Sequence, residues 1–390
     1  MSNQPKLFTP GPVDLFDETL EALSRPVPYM MHPEWLAVQA ETNRMLKQIF
    51  QTENDIFIAT SPGSGALETG VASLFQAGDR VIAIRNGTFA ERLIQLLSAY
   101  RCEVIPVEGA WGEAIDLDKV ADTLKQNPAI DGIAVVGNET GTGVRNPIQE
   151  LAEMAHAQGA PILVDAVSGM GGYDIPVDKW GLDVVATSSN KALEMAPGLG
   201  IISVNPRAWE LVERKTPTAN RGWYYNLITW REALQRPVFP FPTTPATTSI
   251  AGLHASLKRI LEVETLAGHW ARYAWAQRVL RTGLGAIGFG MLAGDDVASP
   301  TVSTVCLHPA MENIEELRDY LRDEHDALIS TSGGPLQGKV ARISHMGKAG
   351  TQGHLVPLLL AVEEFLRRRK GIAVPVGASL VGLDGEGRWY

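Results

Sequence analysis

Asp165 and Lys191 are residues whose types and spacing suit chemistry on a bound ligand. Asp165 closes the apolar run Ile162-Leu163-Val164, which reads as a buried strand and leads into Ala166-Val167-Ser168. A second apolar run, residues 182–187, delivers Ser188-Ser189-Asn190-Lys191, with the lysine 26 residues after the aspartate. As neighbouring parallel strands, the two runs bring both residues to one carboxyl-end edge of a sheet, where open α/β folds bind ligands. A carboxylate there keeps a pyridine nitrogen protonated, and a lysine amine forms a Schiff base with an aldehyde. Pyridoxal phosphate (PLP) requires both. The two residues fit equally a structural ion pair, or an aspartate capping the next turn, so the neighbouring motifs must decide.

Those motifs fall at further strand ends. The strand at 55–60 is followed by Ser61-Pro62-Gly63-Ser64-Gly65-Ala66-Leu67-Glu68 and a helix through about Phe75. Strand, glycine loop and helix together cradle phosphate, because free N–H groups and the helix dipole face the anion. The loop is neither a Walker A motif nor GxGxxG, which disfavours a dinucleotide site. The strand at 80–84 opens into Asn86-Gly87-Thr88-Phe89, where an aromatic side chain can stack on a planar ligand. The strand at 130–136 ends in Gly137-Asn138-Glu139-Thr140-Gly141-Thr142-Gly143, rich in hydroxyl and N–H donors. Leu7-Phe8-Thr9-Pro10-Gly11-Pro12-Val13 reads as a rigid arm that can lie across a pocket. Arg342, on a predicted strand at 339–343, can grip a carboxylate bidentately. Singly, each has a plain alternative: a tight turn, a core phenylalanine, a surface arm, a local salt bridge.

The elements that position these residues follow from pattern. A chain of 390 residues is too long for one ordinary core and implies two domains. After a helix at 33–50, strands alternate with helices to about residue 205, which predicts a parallel, doubly wound sheet. Residues 198–204 read as a strand turning back after Lys191. Residues 214–247 read as irregular, and their aromatic and proline content predicts a dimer contact. One long helix over 248–283 should cross to a smaller α+β domain. That domain has strands at 302–307, 327–330 and 339–343 and helices near 313–325 and 354–369. The expected division is 1–255, 256–370 and a surface tail, 371–390.

Composition narrows the function. A net charge of −10 disfavours nucleic acid and anionic membrane surfaces. The two cysteines, Cys102 and Cys306, belong to no CxxC pair, so neither a zinc site nor a disulfide framework is expected. No apolar leader and no long apolar run is evident, which predicts a cytoplasmic protein.

Taken in order, the motifs Thr9-Pro10-Gly11-Pro12, Gly63-Ser64-Gly65 with Glu68, Asn86-Gly87-Thr88-Phe89, Glu139 to Gly143, Val164 to Ser168, Asn190-Lys191-Ala192-Leu193, Pro197-Gly198, Thr244-Pro245 and Arg342 resemble one family. It is the class V aminotransferases, fold-type-I PLP enzymes, in their alanine–glyoxylate and serine–glyoxylate group. The resemblance covers about the first 370 residues. It implies an α/β fold, with a mainly parallel seven-stranded sheet in the large domain and a smaller C-terminal α+β domain. It also implies roles. Lys191 forms the Schiff base and carries the substrate proton, its amine pKa lowered by burial beside the cationic pyridinium. Asp165 pairs with the pyridine nitrogen, Phe89 stacks on the ring, and Thr140 bonds the ring's 3-oxygen. Ser64, Gly65, Asn190 and the partner subunit's Thr244 hold the phosphate. Arg342 takes the substrate carboxylate beside Gly11, no metal is involved, and the enzyme is a homodimer with shared sites.

The sequence departs from the family pattern at Asn190, where glutamine is common, at Gly137, where histidine is frequent, and at Arg145, usually apolar. A further resemblance, to pyridoxamine–pyruvate aminotransferase, is carried by Ala298-Ser299-Pro300-Thr301, Arg342 to Gly347 and Phe239-Pro240-Phe241-Pro242. That enzyme lacks the phosphate loop, has glutamate at the position of Pro62 and places a second arginine near Gly333. The expected reaction is therefore ping-pong transamination from alanine or serine to glyoxylate or pyruvate. Pyridoxamine–pyruvate, ureidoglycine or 2-aminoethylphosphonate–pyruvate exchange on the same scaffold are the alternatives. Cysteine desulfurase is disfavoured, since neither cysteine lies in a recognisable mobile loop. A dinucleotide-binding oxidoreductase is disfavoured by the missing fingerprint.

Overall fold

Uninterrupted runs of Val, Ile, Leu and Ala suit strands buried on both faces. Seven strands, most of them largely apolar, pair into one sheet: β1 (Asp55–Thr60), β2 (Arg80–Arg85), β3 (Glu103–Glu108), β4 (Gly132–Val136), β5 (Ile162–Asp165), β6 (Val184–Ser188) and β7 (Leu199–Val204). The computed structural model describes residues 4–215, 222–236 and 238–383. The spatial order is β1-β7-β6-β5-β4-β2-β3. Strand β7 runs antiparallel to both its neighbours, and the other pairings are parallel.

Helices α1 (Asp17–Ser24) and α2 (Pro33–Phe50) precede the sheet. Then α3 (Gly63–Leu74), α4 (Thr88–Ala99), α5 (Leu117–Gln126) and α6 (Ile148–Ala157) alternate with its strands, and α7 (Pro206–Lys215) and α8 (Leu227–Leu234) follow β7. Adjacent strand residues face opposite ways. Ile82, Ile133 and Val164 pack with α2 and α6, whereas Val81, Ala134 and Leu163 pack with α3, α4 and α7. Covering both faces with helices leaves the sheet edges for chemistry.

After α9 (Thr247–Lys258) and α10 (Leu266–Ala286), a second sheet forms from β8 (Val302–Cys306), β9 (Ser330–Thr331) and β10 (Val340–Ser344). Its order is β8-β10-β9, all antiparallel. With α11 (Glu315–His325) and α12 (Gln352–Lys370), it encloses a separate core around Leu280, Val305, Ile343, Leu359 and Phe365. The amino-terminal segment pairs beside this sheet, in a separate two-stranded one with one hydrogen bond to β10. Lys6 and Leu7 pair in parallel with Ala327 and Leu328, and Ser344 donates its amide to the Phe8 carbonyl at 2.7 Å.

Several expectations need correction. The helix predicted over 248–283 is broken: Arg259–Glu264 is a widened π turn, and Thr265 has φ +65° with its hydroxyl capping the Gly268 amide. Residues 214–247 are not wholly irregular. Asn226 caps α8 through the Ile228 amide, while residues 216–221 and 237 lie outside the described residues. The strand at 327–330 is two short pieces, and α1 and α5 had no sequence expectation. The tail is docked rather than draped, as far as residue 383. Buried Ser379 bonds Glu363 by its amide and hydroxyl at 2.7 and 2.6 Å. Residues 384–390 lie outside the described residues.

The break in the long helix buries a charge network. Arg272 meets Glu194 at 2.5 Å and Glu264 at 3.0 Å, and it donates to the Gly347 carbonyl at 3.0 Å. Arg259 bridges the same two glutamates at 3.1 and 2.7 Å. Tyr273 donates to Glu194 at 2.7 Å, and His269 lies 2.7 Å from Glu264. Burial raises both glutamate pKa values, but the two arginines and His269 overcome it, and both carboxyls end below their ordinary range. Removing one partner strands the others without water. Arg272→Ala should therefore cost about 3–5 kcal/mol, read as a lowered midpoint in chemical unfolding. Arg25→Ala, which breaks an exposed pair with Glu21, should leave the midpoint where it is.

Candidate active site

The carboxyl edge of the large sheet collects the singled-out residues because parallel strands all end there. Asp165 ends β5 between β4 and β6, in register with Val136 and Ala186. Its Oδ1 accepts the Val167 amide at 2.9 Å, and Oδ2 has no partner among the described residues. Burial pushes its carboxyl up to about 6, against the pull of the Val167 N–H and Lys191.

Lys191 sits on the turn from β6 to β7. That turn is held by its carbonyls: Ala192 O lies 3.1 Å from His269 Nε2, and Leu193 O accepts the Ser256 hydroxyl at 2.7 Å. The Lys191 amine donates to the Pro10 carbonyl. Burial lowers its pKa to about 8, helped by Arg342 and opposed by Asp165. Lys191 and Asp165 do not meet as an ion pair; each is tied to backbone instead. Gly11 lies against the lysine with φ +104°, and a Cβ there would stand 2.7 Å from Lys191 Cδ and Cε.

The start of α3 has the features of an anion cradle. Gly65 N and Ala66 N return to the Pro62 carbonyl, which leaves the Gly63 and Ser64 amides without an acceptor among the described residues. Ser64 is exposed, whereas Gly65 is buried where a Cβ would stand 2.7 Å from Ser61 Cβ. Asn190 is half-buried beside Lys191. Phe89 is half-buried at the start of α4, with the Arg92 guanidinium 4.9 Å from its ring centre. The buried Thr140 hydroxyl bonds Ser168 Oγ at 2.6 Å.

Arg342 comes from the small sheet, on its central strand β10. One terminal nitrogen donates to the Thr331 carbonyl at 3.0 Å, and its buried Nε has no partner. No carboxylate among the described residues forms an ion pair with it. Thr244 is exposed on the segment before α9. Arg145 is structural: it donates to Ala298 O and Asp296 O at 3.0 and 3.2 Å and stacks over Tyr173. Gly333 is exposed with open space around it.

The sequence reading assigned no role to Arg92, Ser168 or Glu139, nor an acceptor role to the Pro10 carbonyl. Backbone acceptors leave no residue-type signal. For Glu139 a signal existed: Gly87, at the cap position before α4, has no side chain to cap the helix, so the first amides must find an acceptor elsewhere.

The chain is similar to known proteins along most of its length. The family model described as aminotransferase class-V matches residues 29–346. An uncharacterised aminotransferase of Methanocaldococcus jannaschii is 31% identical over 94% of this chain and 96% of its own. Pyridoxamine–pyruvate transaminase of Mesorhizobium japonicum is 30% identical over 97% and 96%. The crystal structure of ureidoglycine–glyoxylate aminotransferase from Bacillus subtilis superposes with a TM-score of 0.91, at 26% identity over 97% of each chain.

The lowered Lys191 pKa makes it a free amine at lower pH than surface lysines. Without cofactor, trinitrobenzenesulfonate should modify Lys191 with a rate midpoint near pH 8. Exposed lysines should follow at about pH 10. Peptide mass spectrometry across the pH series reads both, and a Lys191 midpoint near that of surface lysines would contradict the site's electrostatics.

Proposed function

The chain belongs to the class-V aminotransferases, fold-type-I PLP enzymes, and from that premise we propose that it moves an amino group from alanine or serine to glyoxylate or pyruvate. The observation that carries this reading is the convergence of three ionisable groups, Lys191, Asp165 and Arg342, none with an ion partner among the described residues.

The residues present fit PLP. Free amides at Gly63 and Ser64, with Asn190 near, suit its phosphate, and the open Oδ2 of Asp165 suits a protonated ring nitrogen. Phe89 would stack on the ring and Thr140 would bond its oxygen. When bound, PLP supplies an aldehyde for the amino group and an electron sink for the bond broken at the substrate Cα.

The chain's own residues do the rest. The Lys191 amine, whose pKa burial lowers to about 8 and so eases its deprotonation, takes the proton from the substrate Cα at Nζ and returns it in the other half-reaction. Arg342 receives the substrate carboxylate through its free Nε and a terminal nitrogen, which fixes the Cα toward Lys191. Gly11 leaves room for the amine beside the substrate. In the second half-reaction the same groups bind the keto acid, which closes the ping-pong cycle.

Thr244 acts only if a second subunit brings it to the site, so the reading includes a homodimer with shared sites. Neither nucleic acid nor membrane is a partner. No helix among the described residues is long and apolar enough to cross a membrane. Two free cysteines suit the reducing cytoplasm. Burial pushes the Cys102 thiol up to about 11 and also raises Cys306, which argues against sulfur transfer.

The purified protein with PLP should absorb in the visible, and L-alanine should bleach that band. Glyoxylate or pyruvate should restore it, and Lys191→Ala should abolish the cycle. Failure with alanine and serine but bleaching by pyridoxamine or 2-aminoethylphosphonate would transfer the enzyme to those donors. No spectral change with PLP would overturn the reading.

A further inference from the structure

Glu139 is a fully buried carboxylate that the reaction does not use. Its Oε2 accepts the amides of Phe89 and Ala90 at 3.0 and 2.9 Å, the first turn of α4. Its Oε1 accepts the amide of Gly141 at 2.7 Å, one residue beyond Thr140. Two segments that are distant in sequence are thus tied to the two oxygens of one side chain. The approach is close. A Cβ on Gly87 would stand 2.5 Å from Glu139 Cδ, and one on Gly141 would stand 2.9 Å from Glu139 Oε1.

The chemistry of the tether is specific to a carboxylate. Both oxygens accept, so a negative group at the positive end of α4 satisfies all three donors at once. A glutamine in its place has one acceptor and one donor. It can hold the Phe89 and Ala90 amides or the Gly141 amide, but not both. Burial pushes the Glu139 carboxyl up to about 7, while the three amides oppose that shift. Burial lowers the pKa of the nearby Arg342, and the Glu139 carboxylate opposes that shift.

We propose that Glu139 is a positioning residue that fixes Phe89 and Thr140 relative to one another, so that the ring-stacking face and the hydroxyl beside Ser168 form one rigid cofactor seat. The inference rests on the proposed PLP-dependent function and adds a residue to it. It predicts an effect on cofactor affinity that passes through Phe89.

The test is PLP titration of the cofactor-free full-length protein, followed by visible absorbance and by circular dichroism at the cofactor band. The set is wild type, Glu139→Gln, Glu139→Asp, Phe89→Ala and the combined variant. Glu139→Gln should weaken PLP binding about tenfold, the scale of one lost charge-assisted hydrogen bond. It should also reduce the cofactor's dichroism. Glu139→Asp, which keeps both acceptors, should recover part of the loss. In the Phe89→Ala background the Glu139→Gln effect should shrink at least about threefold, since coupled residues are not additive. Independent multiplication of the two effects would overturn the proposal, as would unchanged PLP affinity with lowered thermal stability. If Glu139→Gln does not fold, the same cycle is run with Glu139→Asp. A wild type that binds no PLP would instead overturn the function on which the inference rests.

Discussion

Three ionisable groups, two at the carboxyl edge of the large sheet and Arg342 reaching in from the small one, form no ion pair among the described residues, and the rest of the molecule is arranged around that constraint. Each is tethered to a backbone group: Lys191 to the Pro10 carbonyl, Asp165 to the Val167 amide and Arg342 to the Thr331 carbonyl. A backbone tether fixes position without neutralising charge. An ion pair would have been more comfortable for the protein and useless to a ligand, because the pair would need breaking before binding. The cost of leaving such groups unpaired appears in their titration, with Asp165 pushed up to about 6 and Lys191 brought down to about 8.

The buried network behind the lysine turn follows the opposite rule. Glu194, Glu264, Arg259 and Arg272 satisfy one another, with His269 and Tyr273 filling the remaining positions. Glu194 lies three residues after Lys191 and takes φ +54°, a backbone state that needs enforcement in a non-glycine residue. His269 then reaches past it to the Ala192 carbonyl. A fully paired cluster is a rigid object. It holds the turn that presents an unpaired amine, so paired charges in one place permit unpaired charge in another.

This contrast explains what the sequence made legible. The strands were readable because most are apolar and buried on both faces; β5 and β7 are buried at every position. Asp165, Lys191, Phe89 and Thr140 were findable because each follows a strand end, and strand ends share one edge. The break at Thr265 was not. Its cause is a positive φ and a set of buried charges from three segments, neither of which disturbs the local apolar pattern. Helix α8 was masked by its aromatic neighbours, although Asn226 at its start was a readable cap.

The amino-terminal segment links these parts mechanically. Its backbone is stitched to the small sheet, with the Lys6 and Phe8 amides on the Asp326 and Leu328 carbonyls and the Ser344 amide on the Phe8 carbonyl. Two residues later the same segment offers Pro10 O to Lys191. Ser344 ends the strand that carries Arg342. The Pro10 carbonyl that accepts from the lysine amine and the Arg342 guanidinium are therefore parts of one hydrogen-bonded unit. Asp165 and Lys191 belong to the other. Any displacement of the small sheet against the large one carries Pro10 and Arg342 together, so the positions of the amine's acceptor and of the guanidinium cannot be adjusted separately. That coupling is a property of connectivity, set by where Lys6, Leu7 and Phe8 pair.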